Sequence, residues 1–303
     1  MLRGEDVVPL PDAGEPPFVT RFAPSPTGLL HLGHAYSALF ARQTAQACGG
    51  RFLLRIEDLD HTRCRAEFEQ AMLDDLRWLG LRWEAPAARQ STRIDAYQAA
   101  LARLKRAGLV YPCFCTRQQI RTEIQQSASA PHGPSGEAIY PGTCRELDPG
   151  EAAHRIARGQ PHAWRLHVDR ALARTGELFW HDVRGGWQAC RAREFGDVVL
   201  ARKDIPTSYH LAVTLDDAAQ GVTLVTRGED LFHATHIHRL LQALLDLPTP
   251  HYYHHNLVAG PDGQRLAKRN RSVSLRYFRE RGETPDSVFA KLGLMPQPSA
   301  ATS

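Results

Sequence analysis

Apolar positions over the first hundred residues follow two textures. Residues 18–22 and 51–56 are short apolar runs of strand length. Between them Ala, Leu, Phe and Tyr recur at helical spacing, from His31 or Gly33 to about Ala47. Pro24 and Pro26 stop the first strand, Gly28 permits a tight bend, and Gly49 and Gly50 end the helix. Strand, helix and strand within about forty residues predict a parallel α/β unit, with polar groups at the carboxyl edge where such sheets hold ligands.

Helices are expected over 65–79 and 94–107. From 110 to 195 Cys, Pro, Gly and His mix with short strand-like runs, which predicts an inserted subdomain. Strand-like texture returns at 197–200, 211–215 and 222–226, then a long helix runs over 230–247. The polar stretch 125–136 reads as a loop, and 284–294 as one capped helix. The expected organisation is a disordered lead over 1–17, half of an α/β domain over 18–109, the insert over 110–195, the second half over 196–275 and a short C-terminal piece over 276–303.

The 303 residues can bury a sizeable core, and 43% apolar with 23% charged residues is ordinary for a globular protein. A net charge of +4 permits a nucleic-acid partner without requiring one. No apolar run approaches the length of a membrane span, and the N-terminus lacks the apolar core of a secretory signal, so a cytoplasmic monomer is expected. The cysteines do not form a disulfide framework; Cys48, Cys64 and Cys190 stand apart.

Two motifs carry candidate chemistry. RFAPSPTGLLHLGH, from Arg21 to His34, sets two histidines around Gly33 at the mouth of a helix, and RLAKRN puts Lys268 on a late loop. Attack of a carboxylate on ATP builds negative charge on the α-phosphate and the departing pyrophosphate. Donors at a helix N-terminus stabilise that charge. His31 and His34 suit that task, Gly33 admits the nucleotide close to the backbone, and Lys268 suits the outer phosphates. Arg21 suits a carboxylate clamp and Glu57 an ammonium.

These elements resemble the two signatures of the class I aminoacyl-tRNA synthetases. RFAPSPTG, RIEDLD (55–60), the tyrosine of SYHLAVTLDD (208–217) and TRGEDL (226–231) resemble the glutamyl branch specifically. The resemblance runs from about Phe18 to Ser274. It implies a Rossmann-like parallel-sheet catalytic domain that joins L-glutamate to ATP, with Mg2+, as glutamyl-adenylate and passes the glutamyl group to RNA. His31, His34 and Lys268 then fall on catalytic positions, His31, Gly33, His34 and Lys268 on ATP-binding ones, and Arg21, Ala23, Ser25, Glu57, Tyr209 and Arg227 on glutamate-binding ones. Asp58, Asp60 and Glu229 are left as structural. Two positions depart from the pattern: Ala267 stands where a hydroxyl residue is frequent, and His34 where many glutamyl relatives have Ser.

Cys113, Cys115 and Cys144 offer three thiolates from two short loops, which suits a closed structural Zn2+ site needing one more ligand. His132 is the first chemical choice for the fourth. The resemblance favours Tyr140, since Tyr-x-x-x-Cys matches the short glutamyl relatives.

The chain ends soon after Lys268, where full glutamyl-tRNA synthetases continue into an anticodon-binding region. The layout resembles the short glutamyl-Q tRNA(Asp) synthetases, which attach glutamate to queuosine in the anticodon loop of tRNA(Asp). Arg184, Arg191, Arg193 and Arg202 are the candidates for an RNA-facing basic surface. Two other readings stay open: a truncated enzyme charging an acceptor end, and an inactive RNA-binding relative.

Overall fold

The computed structural model describes residues 10–11, 14–126, 139–258 and 273–294. Along the chain come β1 (Val19–Phe22), α1 (Leu32–Ala47), β2 (Arg51–Ile56), α2 (Ala66–Trp78), β3 (Ala88–Arg89) and α3 (Ile94–Arg106). Next are β4 (Val110–Cys113), α4 (Arg117–Gln126), α5 (Pro149–Ala157), β5 (Ala163–Leu166), α6 (Val168–Thr175), β6 (Phe179–Asp182), β7 (Gly186–Ala189) and β8 (Val199–Ala201). The last are α7 (Tyr209–Ala219), β9 (Leu224–Gly228), α8 (Ala234–Leu245), β10 (His251–His255), α9 (Leu275–Glu280) and α10 (Pro285–Lys291).

Alternation along the strands sets the layers. Phe52, Leu54 and Ile56 of β2 join α1 in one core cluster, while Arg55 between them turns to the other face and reaches α7. On β10, Tyr253 and His255 meet Phe40 and Tyr36 of α1, while Tyr252 and His254 meet Trp180 on the opposite face. Gly50 is needed for the close return from α1 to β2: a Cβ there would stand 2.0 Å from Phe18 O.

β1, β2 and β3 form one parallel sheet. β9, β10 and β6 are parallel in a second, with β7 antiparallel at its edge. The two sheets abut between β1 and β9, where Thr223 N donates to Val19 O at 3.0 Å and Val19 N to Thr223 Oγ1 at 2.9 Å. A third sheet, β4-β5-β8, is antiparallel and stands apart. The hairpin β6–β7 lies within the span read as an insert, yet its ladder continues into β10.

The strand texture at 211–215 proves to be helical. Ser208 accepts from Leu211 N and starts α7, whose Leu211, Ala212, Val213, Thr214, Asp216 and Asp217 are all buried. A helix covered on most sides loses its polar stripe, so its apolar run looks like a core strand. The helix expected over 230–247 is shorter at both ends: a 3-10 turn, Glu229–Leu231, precedes α8.

Asp216 ties α7 to the segment before and within α3. It accepts from Gln90 Nε2 at 2.9 Å, Arg93 Nε at 2.7 Å and Tyr97 Oη at 2.8 Å. Asp216→Ala leaves the buried Gln90 and Tyr97 donors and the half-buried Arg93 unpaired and is expected to cost about 3 kcal/mol in urea unfolding. An unchanged midpoint would show that the cluster adds nothing.

Candidate active site

A cavity of about 400 Å³ opens at the carboxyl ends of β1 and β9, beside the junction of the two parallel sheets. Arg21, Ala23, Glu57, Tyr209 and Arg227 line it together with His31, Gly33 and His34. Ser25 lies instead in an adjoining cavity of about 150 Å³ that shares Glu57 and Tyr209. Lys268, Ala267 and His132 lie outside the described residues. The segments flanking 259–272 both sit near the histidines: Leu257 and Val258 line the cavity, and Ser274 forms a β-bridge with His31.

The two histidines cap α1 reciprocally. Gly33 N donates to His31 Nδ1 at 3.1 Å, and His31 N donates to His34 Nδ1 at 3.2 Å. A neutral imidazole that accepts at Nδ1 carries its proton on Nε2, so each ring offers an N–H donor beside the positive end of the helix. Capping and phosphate binding are therefore compatible roles. Ser37 joins this end, donating to Gly33 O at 3.2 Å and lying 3.1 Å from His255 Nε2.

The opposite end is built on arginines. Arg21, on β1, sends Nε and Nη2 to the two oxygens of Asp217 at 3.0 and 3.3 Å, and Nη1 to Thr226 O at 3.2 Å. One N–H on each terminal nitrogen is left without an acceptor among the described residues, the pair that a bidentate carboxylate takes. Asp217 also accepts from Arg55 Nη1 at 2.7 Å. Burial works against its ionisation, but Arg21 and Arg55 outweigh that and hold its carboxyl below the usual range. Glu57 stands 3.4 Å from Arg55 Nη2, and there burial prevails and pushes the carboxyl up.

Arg227 is held differently, by neutral acceptors. Nε donates to His254 Nε2 at 3.1 Å, Nη1 to Tyr209 Oη and His238 Nδ1 at 3.3 Å each, and Nη2 to Thr235 Oγ1. Sequence reading singled out neither these histidines nor Asp217. Asp217 ends the quoted SYHLAVTLDD motif, while His254 and His255 sit in an aromatic-rich strand whose alternation sends one to Arg227 and the other to α1.

The basic-surface candidates are tied to neighbours. Arg184 donates to His254 O and Asn256 Oδ1, Arg191 faces Glu194 at 4.0 Å, Arg193 pairs with Asp169 and Arg202 with Asp204. Asp58 accepts from Ser91 N and Oγ, and Asp60 from Thr62.

Cys113, Cys115 and Cys144 converge, with their sulfurs within 4.8 Å of one another. The Tyr140 hydroxyl lies 3.4 Å from Cys113 Sγ and 3.7 Å from Cys115 Sγ, and accepts from Cys144 N at 2.8 Å. Donors about 2.3 Å from a tetrahedral Zn2+ stand about 3.8 Å apart, so the donor set and its spacing fit the ion. Burial, then the neighbouring Cys144, drives the Cys115 thiol up to about 11, a penalty that a bound cation would reverse.

Residues 17–302 match the family of class I tRNA synthetases (E and Q), catalytic domain. A glutamyl-Q tRNA(Asp) synthetase of Rhodobacter capsulatus is 50% identical over 91% of this chain and 100% of its own length. The chain belongs to this family, among the glutamyl-Q tRNA(Asp) synthetases. Another such relative, from Nocardia farcinica, is 47% identical over 92% of this chain and 86% of its own. A glutamate–tRNA ligase of Aquifex aeolicus is 38% identical over 91% of this chain but only 56% of its own length. A solved glutamate tRNA ligase from Elizabethkingia meningosepticum, in complex with its amino acid, aligns with a TM-score of 0.75 at 25% identity. That alignment covers 95% of this chain and 62% of the solved one. The catalytic-domain fold with its mixed α/β sheets is thus that of the family, and no helix among the described residues is long and apolar enough to cross a membrane.

Burial lowers several histidines around this site. It takes His254 to about 4 against the opposing pull of Asp182, His210 to about 4 with help from Arg227, and His236 to about 4 with help from His233 and Arg191. Below about pH 6.5 the unfolded chain binds protons that these native rings refuse until about pH 4, so stability falls with pH across that window. The urea midpoint should decline steadily from pH 7 to pH 5. A flat midpoint would mean the rings are not held neutral.

Proposed function

We propose that the protein activates L-glutamate with Mg2+-ATP and transfers the glutamyl group to queuosine in the anticodon loop of tRNA(Asp). The observation that carries the activation step is one cavity with an arginine-lined carboxylate site at one end and an imidazole-capped helix terminus at the other. Arg21, with Arg227 beside it, takes the side-chain carboxylate, Glu57 takes the ammonium, and Tyr209, Ala23 and Ser25 wall the substrate. The relatives' names supply the RNA.

An α-carboxylate oxygen attacks the α-phosphorus, the bond to the bridging oxygen breaks, and pyrophosphate leaves. His31 and His34 donate from Nε2 to the phosphates, while Gly33 lets them approach the backbone; Lys268 takes the outer phosphates. A hydroxyl of the queuosine ring then attacks the glutamyl carbonyl, and its bond to phosphate breaks to release AMP. No side chain becomes covalently attached; positioning and charge stabilisation supply the rate.

The purified protein should exchange labelled pyrophosphate into ATP when glutamate is present and RNA is absent. Lys268→Ala should lower that exchange about a hundredfold or more. Labelled glutamate should enter tRNA(Asp) only when it carries queuosine. Charging of tRNA(Glu) instead would favour an acceptor-end ligase, and absence of exchange by folded protein an inactive relative.

Cys113, Cys115, Cys144 and Tyr140 are assigned to one structural Zn2+, which staples the segment between β4 and β5. Elemental analysis of native protein should find about one zinc per chain. Cys144→Ser should lose it; full-length, metal-free, equally stable protein would refute the assignment.

A further inference from the structure

Arg21 and Arg55 share a carboxylate, whereas Arg227 touches none among the described residues. Its direct partners are His254, His238, Thr235 and Tyr209. The tautomers follow from the donors. His254 accepts from Arg227 at Nε2, so its proton lies on Nδ1 and is donated to Asp182 Oδ2 at 2.6 Å. Asp182 is fixed in turn by Arg184 N at 3.1 Å and Gly185 N at 2.8 Å. On the other side, His238 accepts from Arg227 at Nδ1, so its Nε2–H points to His210 Nδ1 at 3.2 Å. His254, His238 and Asp182 are all buried.

We propose that Asp182, His254 and His238 are positioning residues that hold Arg227 through neutral rings, so that no carboxylate among the described residues competes with the substrate's for its guanidinium. A carboxylate placed directly on Arg227 would compete with the substrate for the guanidinium. Asp182, set one imidazole away, fixes the ring's tautomer and orientation without forming that pair. Discrimination between glutamate and its uncharged amide analogue then depends on residues that never touch either. This inference rests on the reading of Arg227 as a substrate contact.

The test is glutamate-dependent pyrophosphate exchange by the full chain, with KM for glutamate and for ATP measured separately. Asp182→Asn can donate to His254 Nδ1, which drives the ring proton to Nε2, facing the Arg227 donor. It should raise the glutamate KM about tenfold or more in folded protein of somewhat lower melting temperature, while the ATP KM stays near wild type. His254→Gln, which keeps an acceptor and a donor, should stay closer to wild type than His254→Leu. An unchanged glutamate KM in Asp182→Asn overturns the proposal, as does a parallel loss in both KM values and melting temperature. If Asp182→Asn does not fold, His238→Asp decides: it sets a carboxylate on Arg227 and should weaken glutamate use about tenfold, and a wild-type KM overturns the idea. Arg227→Gln separates the two levels. If it leaves the glutamate KM unchanged, the substrate reading itself fails; if it raises that KM while Asp182→Asn does not, only the positioning role fails.

Discussion

Asp217 accepts hydrogen bonds from guanidinium groups on two neighbouring strands, Arg21 of β1 and Arg55 of β2, and does so from a helix on the face of the sheet opposite α1. This bridge orients Arg21, which lines the cavity. It also makes the orientation expensive to disturb, because removing one partner of a buried ion pair leaves the other unpaired at a cost of about 3–5 kcal/mol. Arg55 gains further support from Gln220 Oε1 at 2.8 Å and from Glu57. Glu57 and Arg21 are thus parts of one charge network through Arg55 and Asp217.

The part of the cavity at the start of α1 is built on different physics. Among the described residues its geometry comes from a helix terminus, two of whose N–H groups are satisfied by the His31 and His34 rings at Nδ1. The cavity is therefore lined on one part by fixed charges and on another by a helix dipole and imidazole rings.

The cysteine cluster is linked to this cavity through a short piece of backbone. Lys203 Nζ donates to Phe114 O at 3.2 Å and Cys115 O at 3.0 Å, and the residues just after it lead to Ser208 and the start of α7, which carries Tyr209. Beside the cluster, Arg165 lies 3.7 Å over the Tyr140 ring and donates to Asp197 O, so the segment is stapled from both sides.

The local chemistry was legible in the sequence. Proline and glycine punctuation, strand-length apolar runs and the HLGH and Cys-x-Cys spacings depend on near neighbours, so β1, α1, β2, the helix cap and the sulfur cluster all follow from the order of residues. Three-dimensional packing decided the rest. Residues 211–215 look like a strand because a helix buried on most sides has no polar face. The partner of Arg21 is Asp217 and not Asp58 or Asp60, because α7 and not the following loop lies under β1. Arg227 lies against His254 and His238, residues from two other elements, and only the pairing of β9 with β10 and the placement of α8 bring them together. Sequence fixes which groups exist and how neighbours in the chain arrange themselves; which distant charges meet, and which stay apart, is set by the register of strands that no local pattern encodes.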